Sequence, residues 1–280
     1  MENKDTLIVG LSDMHSGSSV ALFPDKLYKF NLERNHTPTP AQIRLYQHFL
    51  KCAGEAKVLR RNKRMIVLHN GDAIDGWHHG TTQVLTTQPA EQADLHVYLM
   101  RKFLRAAGFD PARGDKLIYI KGTEVHTGET EEKIALTLGA EYLQAHDFVD
   151  LSVNGRRIWF THQGPNSGSG HMAGDALRNW LKYLYWQRVN DRQYVPDLVV
   201  TGHYHKATYN SYVQTRNDEI IAIHGLILPS WQMKTRYTYS KVPTVTNKIG
   251  AVFMEITAAG GIVAPTMRLL PTENGVSVAV

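Results

Sequence analysis

Leu7-Ile8-Val9-Gly10-Leu11, followed at once by Ser12-Asp13-Met14-His15, is the stretch that decides how this chain is read. Apolar or small residues in an unbroken run, with no polar alternation, describe a strand covered on both faces, as in a sheet held between other layers. The run stops at a carboxylate and an imidazole. The same change recurs after three more runs: Met65–Leu68 gives way to Gly71-Asp72-Ala73-Ile74-Asp75, Leu117–Ile120 to Gly122-Thr123-Glu124-Val125-His126, and Arg157–Thr161 to His162-Gln163. A fifth, Asp197–Thr201, ends at Gly202-His203-Tyr204-His205. Carboxylates and imidazoles are the ligands that divalent first-row metals accept, so clusters at successive strand ends predict one rim and one site.

Between these strands the sequence reads as helices. Pro38 and Pro40 introduce an amphipathic helix over about 40–61, with Ile43, Tyr46, Phe49, Leu50, Ala53 and Leu59 on its apolar side. Further helices are expected over about 89–107, 130–138 and 173–190, while residues 18–36 and 77–88 read as loops. Asn154-Gly155 marks a hairpin between strands 149–153 and 157–161. After the last cluster come only β-rich segments, at 207–213, 219–224, 251–256 and 266–270. Strands alternating with helices early, then strands in succession, predict a mixed α/β (α+β) fold with a largely antiparallel second half. No repeat, low-complexity tract or long linker interrupts it, so residues 1–280 are expected to form one domain.

Composition narrows the class. The 280 residues are 42% apolar and 20% charged, ordinary for a globular protein, and no apolar run approaches the roughly 18 residues of a membrane span. The stretch Met1 to Asp5 lacks the features of a signal peptide, and the lone Cys52 excludes an intrachain disulfide. Both point to the cytoplasm and to no membrane partner. A net charge of +5 and a sequence pI near 9.1 are compatible with polyanionic substrates without demonstrating them. The densest basic stretch, Arg60-Arg61-Asn62-Lys63-Arg64, lies between a helix and a strand, where cations complement a helix C-terminus. Histidine is the outlier, with 14 copies, several beside Asp, Gly or another His.

Asp13 and His15 are two apart, so an extended segment points both to one side, and the same holds for His203 and His205. Gly71 permits a sharp turn that presents Asp72, whose two oxygens can each serve a different cation. Asp75 reads either as a cap of the next turn or as a support for the ligands. Each cluster alone has a plain reading as a turn residue or a hydrogen-bonded imidazole. Their concurrence at strand ends is what points to a metal site.

Together, Asp13-x-His15, Gly71-Asp72-x-x-Asp75, His162 and Gly202-His203-x-His205 resemble the calcineurin-like metallophosphoesterase superfamily over roughly residues 7–210. The resemblance implies two packed mixed β-sheets flanked by helices in four layers, with a dinuclear site at the C-terminal ends of strands. It implies Asp13, His15 and His205 on a first metal, Asp72 bridging, and His162 and His203 on a second. Two divalent ions are implied, manganese foremost, with iron, zinc or nickel as alternatives. So is hydrolysis of a phosphate ester by a hydroxide held between them.

Where that superfamily usually has Gly-Asn-His, this chain has Gly122-Thr123-Glu124-Val125-His126. His126 then reads as the catalytic general acid displaced by a small insertion, as a ligand replacing the asparagine, or as a structural residue. The variant, with Ser12-Asp13-x-His15-Ser16-Gly17 and Asn70-Gly71-Asp72, is similar to bacteriophage and prophage members, which would place the chain in host cytoplasm.

Three loops are expected around the metals: Gly76-Trp77-His78-His79-Gly80, Gly164–His171, and Tyr204 with Lys206 and Ser230-Trp231-Gln232. Aromatic rings beside basic groups suit nucleobases and phosphates. His78, His79 and Tyr204 are therefore candidate substrate contacts, and packing of Trp77 and Trp231 against the core is the plainer alternative. The expected function is a dinuclear metal-dependent phosphoesterase, with phosphodiester, nucleotide or nucleic-acid substrates ahead of a small monoester or a phosphoprotein. A mononuclear hydrolase and a non-catalytic protein-binding scaffold are the other readings. Oligomeric state is not legible.

Overall fold

The computed structural model describes residues 4–30, 35–77, 81–144, 148–166, 168, 172–216, 218–236, 240 and 247–271. The chain begins with β1 (Thr6–Leu11), β2 (Tyr28–Lys29), β3 (Asn35–His36), α1 (Pro40–Arg60), β4 (Arg64–Asn70), α2 (Pro89–Ala107) and β5 (Lys116–Ile120). Next come α3 (Glu124–Thr127), α4 (Thr130–Leu138), β6 (Glu141–Leu143), β7 (Val149–Val153), β8 (Arg156–Phe160) and α5 (Asp175–Asn190). It continues through β9 (Leu198–Thr201), β10 (Thr208–Arg216), β11 (Glu219–Ile227), β12 (Gly250–Ile256) and β13 (Ile262–Leu269).

Two mixed sheets carry the architecture. The first has the order β13-β12-β1-β4-β5-β6, the second β10-β11-β9-β8-β7. In the first, β1, β4, β5 and β6 are parallel and β12 and β13 antiparallel. The expected antiparallel second half is only partly found: β8 and β9 are parallel, as are β9 and β11. Helix α5, expected from the sequence between β8 and β9, is the long crossover that a parallel pair requires.

Side-chain alternation within β1 explains its unbroken apolarity. Leu7, Val9 and Leu11 pack with Leu45, Phe49 and Ala53 of α1 and with Leu95, Leu99 and Phe103 of α2. Ile8 faces the other way, into a second core with Ile66, Leu68, Ile158, Phe160, Leu198 and Val200, which joins the two sheets. A third core buries Leu177, Leu181, Leu184 and Tyr185 of α5 against Trp159, Val199 and Ile223 on the outer face of the second sheet. The layers thus run helices, sheet, sheet, helix.

Local signals place the elements. Thr39 and Gln42 form a reciprocal capping box at the start of α1, satisfying backbone N–H groups the helix leaves open. Beyond its end, the basic stretch does more than complement a helix terminus. Arg60 is buried and pairs with Asp115 (2.5 Å), and Lys63 pairs with Glu255. Strand β6 and the one-turn α3, both too short to show a period, were not expected from the sequence.

Candidate metal centre

Parallel strands set the rim. In the first sheet β1, β4 and β5 end side by side, and in the second β8 and β9 do. The loops beyond β1 and β4 extend the pairing: Asp13 N–H donates to Gly71 O, His15 N–H to Asp72 O and Ser16 N–H to Ala73 O, each at 3.0 Å. The sheets are tied together at the same point, where Asn70 Nδ2 donates to Thr161 O (3.1 Å) and His203 N–H to Asp13 Oδ2 (3.1 Å). Gly71 and Gly202 make this closeness possible. A Cβ on Gly71, which has φ +87°, would lie 2.7 Å from Gly122 Cα, and one on Gly202 would lie 2.9 Å from Asp13 Oδ2.

All six sequence-predicted ligands converge. Asp13, His15 and His205 present ligand atoms within 4.8 Å of one another, and so do Asp72, His162 and His203. The reason given from the sequence was wrong in its local geometry, however. Asp13, His15, His203 and His205 are not extended, with φ values of +51°, +42°, +68° and +53°, and Asp72, in its turn, is at +55°. Left-handed backbone at non-glycine residues costs about 1–3 kcal/mol each and gathers where surrounding contacts hold it, typically at functional sites. Asp and His tolerate it better than most residues.

The arrangement demands positive charge. His162 Nδ1–H donates to Asn70 O (2.7 Å), which turns Nε2 toward Asp72 Oδ2 at 3.1 Å and Asp13 Oδ1 at 3.8 Å. Asp13 Oδ1 and His162 Nε2 are buried and have no hydrogen-bond partner among the described residues. Burial opposes charge on His162, yet the Asp72 and Asp13 carboxylates prevail and raise its pKa to about 10. Burial likewise works against ionised Asp13, but His162 and His205 hold its pKa well below the usual range. Asp72 is held low in the same way by His162 and His15. Two buried carboxylates facing imidazole lone pairs are stable only with a cation between them, a proton or a metal. The donor set, oxygen with nitrogen, suits a divalent first-row ion.

Supporting groups surround the six. Asp75, open to two readings in the sequence, sits with Oδ1 3.2 Å from His15 Nδ1 and accepts from Gln232 Nε2 (3.0 Å). Asn247 reaches His205 Nδ1 (2.9 Å) and Gln232 O (3.1 Å). Thr123 donates from N–H (2.7 Å) and Oγ1 (2.8 Å) to Asp72 Oδ1. His126 is half-buried; its Nδ1 lies 2.7 Å from Asp75 O and its ring stands edge-on to His15 at 4.7 Å. It groups with His15 and Asp75, not with Asp72, His162 and His203. Gln232 lies in a loop expected near the metals, whereas Asn247 carries no sequence signal.

Of the substrate candidates, Tyr204 is 38% exposed beside His203, and Trp77 is 63% exposed. His78, His79 and His171 lie outside the described residues. Trp231 is fully buried, against Phe49 at 4.9 Å, so it packs the core. Not every histidine belongs to the site: His69 and His96 are buried beneath it around Tyr119, and burial pushes His96 down to about 3 and His69 well below its ordinary value. Lys206, half-buried beside His205, is likewise lowered by burial and then by Lys248 and Lys234.

No protein-family model matches the chain. No curated protein matches it either. Among solved structures, a protein of unknown function from Aquifex aeolicus is 12% identical, with a TM-score of 0.33, covering 72% of this chain and 80% of that one. A 5'-nucleotidase from Candida albicans is 11% identical, with a TM-score of 0.36, covering 89% of this chain and 47% of that one. Likeness this weak fixes neither fold nor activity. Among the described residues, no helix is long and apolar enough to cross a membrane.

Proposed function

We propose that this chain is a metal-dependent phosphoesterase of the calcineurin-like metallophosphoesterase superfamily, acting with two divalent ions on phosphodiester or nucleotide substrates. The observation that supports it most is the meeting of two donor groups at Asp13 Oδ1, Asp72 Oδ2 and His162 Nε2, buried atoms that require a cation. Asp13, His15 and His205 would hold one ion, His162 and His203 the other, with Asp72 shared. Two such ions supply hydroxide near neutral pH and neutralise charge on the phosphate oxygens.

The chain's own residues do the rest. Asn70 O keeps the His162 proton on Nδ1, leaving Nε2 as the donor atom. Asp75 orients His15 in the same sense, while Asn247 Nδ2 donates to His205 Nδ1 and so fixes the plane of that ring. Thr123 clamps the Asp72 oxygen that faces away from His162. His126 Nδ1–H is directed to Asp75 O, so in the imidazolium form its Nε2–H is the group that would hand a proton to a leaving alkoxide. Its grouping with His15 and Asp75, and not with Asp72, His162 and His203, favours the general-acid role over replacement of the missing asparagine.

Asp72→Asn tests the reading. The variant is expected to lose at least half of the bound manganese measured by plasma emission and nearly all turnover of bis-p-nitrophenyl phosphate, with its circular dichroism unchanged. Full turnover in that variant would sink the two-ion proposal. Faster hydrolysis of bis-p-nitrophenyl phosphate than of p-nitrophenyl phosphate is the expected sign of a diesterase.

A further inference from the structure

We propose that the free edge of β10 pairs antiparallel with β10 of a second copy of this chain, joining two 5-stranded sheets into one. The pairing does not depend on the phosphoesterase reading.

Among the described residues, β10 ends the second sheet and has β11 as its one neighbouring strand. Where its backbone groups point follows from β11. His224 N–H donates to Asp197 O at 3.0 Å, toward β9, and Ser211 lies opposite His224. Bonding alternates along an antiparallel pair, so Asn210, Tyr212 and Gln214 bond to β11 while Ser211, Val213 and Thr215 turn their groups outward. Two of these outward groups are met by the side chain of a sequence neighbour. Ser211 N–H donates to Asn210 Oδ1 (2.8 Å), and Thr215 O accepts from Gln214 Nε2 (3.1 Å). Val213 N–H has no acceptor among the described residues.

An open strand edge is a template for pairing, and proteins ordinarily blunt it by short length, charge, proline or a bulge. The other edges of the two large sheets are blunted in these ways. Strand β6 has 3 residues and carries Glu141, and β7 has 5 and carries Asp150. Strand β13 carries Pro265 and Arg268, and its register against β12 shifts between Phe253 and Glu255. Strand β10 has none of these devices before its last residue. Its register runs unbroken over 9 residues, and Thr208 to Thr215 include no charge, proline or glycine.

The edge is complementary to itself. Lys206 precedes β10, while Asp218 and Glu219 follow it and outnumber Arg216. Lys206 and Asp218 are equally far from Tyr212, so a two-fold axis there sets each opposite the other on the second copy, whereas parallel pairing sets like against like. Helix α5 lies over this edge, Trp186 Nε1 donating to Tyr212 Oη (3.2 Å), and leaves Tyr183 and Trp186 exposed; Val213 is exposed on the other face. An axis perpendicular to the sheet keeps both α5 helices on one side and brings these rings to the seam. The strip is roughly 30 Å long and two layers of about 10 Å deep, about 600 Å² per copy. That reaches the lower limit of a specific interface, about 1,200 Å² in total. Because the axis consumes both edges at once, the assembly closes at two copies.

The test is sedimentation equilibrium of the full chain from about 1 to 100 µM, a range that brackets the micromolar affinity expected of so small an interface. Wild type, at 31.6 kDa per copy, is expected to follow a monomer–dimer equilibrium. Val213→Pro removes an outward N–H and no bond to β11, and Val213→Lys brings two cations to the seam. Each should raise the dimer dissociation constant by roughly tenfold or more, with circular dichroism unchanged. Val213→Ala keeps the N–H and should change that constant by less than about fivefold. A wild type that stays monomeric throughout would overturn the pairing, as would growth beyond two copies. A dimer that survives both the proline and the lysine substitutions would also overturn it, and so would one lost equally in the alanine variant. If Val213→Pro fails to fold, the contrast between lysine and alanine decides.

Discussion

Removing the charge from Glu131 perturbs the site from beneath. Glu131 is fully buried and accepts from Ala73 N–H (2.9 Å) and Gly122 N–H (2.6 Å), the backbone groups next to Asp72 and to Thr123. It is the brace that holds the β4 and β5 loops around Asp72. Burial first, and then the charge of Asp72, raise its pKa from 4.5 to about 7 against the pull of those two N–H groups. The folded chain therefore keeps this proton to higher pH than the unfolded chain does. The associated stability is fully present below about pH 4.5 and is lost as pH rises to about 7, a decline of ~3 kcal/mol at 1.36 kcal/mol per unit. Glu131→Gln has no such slope, but its amide turns a donor toward one of the two N–H groups, costing about 1–3 kcal/mol at every pH. The variant should be about 1–3 kcal/mol less stable than wild type at pH 4.5, and the ~3 kcal/mol that wild type alone loses should close or reverse that gap by pH 7.5. Urea unfolding in chelator across that range measures it. A gap that stays constant or widens with pH would refute the reasoning.

Three further outcomes are expected. Asp75→Asn leaves His15 without its charged partner and should weaken metal binding by roughly 10–100-fold in a competition titration, with little change in unfolding midpoint. Gly71→Ala puts a side chain at φ +87° and against the Gly122 backbone, so it should cost about 1–3 kcal/mol from strain alone and lower metal content too. Arg60→Ala strands the buried Asp115, which also accepts from Met65 and Asp110 N–H; urea unfolding should show a loss of about 3–5 kcal/mol, with the metal affinity of the surviving folded protein intact.

The rim was legible because its causes are local. A strand covered on both faces must be apolar throughout, so the runs at β1, β4, β5, β8 and β9 announce themselves, and the change to Asp or His marks where each ends. Helices α1, α2 and α4 were legible for the same reason, their period of apolar residues, and in α1 and α2 a proline start, being written within the segments. In the second sheet the antiparallel β7–β8 hairpin was legible from Asn154-Gly155 and β10–β11 pair antiparallel as expected, but the parallel pairing of β9 with β8 and β11 was not. Nor was the backbone at the ligands, since whether Asp13 or His205 is extended or left-handed depends on loops that press on it from the other sheet.

By itself, then, the sequence determined which side chains meet: Asp13, His15, Asp72, His162, His203 and His205 stand at strand ends, and parallel strands carry their ends to one edge. Tertiary structure alone decided how they are held. Asp75, Thr123, Gln232, Asn247 and Glu131 reach the ligands or their loops by contacts that cross from one strand end or loop to another. His126 came to rest against His15 rather than beside His162. The physical reason is range. Burial and strand periodicity act within a few residues, whereas hydrogen bonds between loops depend on where two packed sheets bring those loops together.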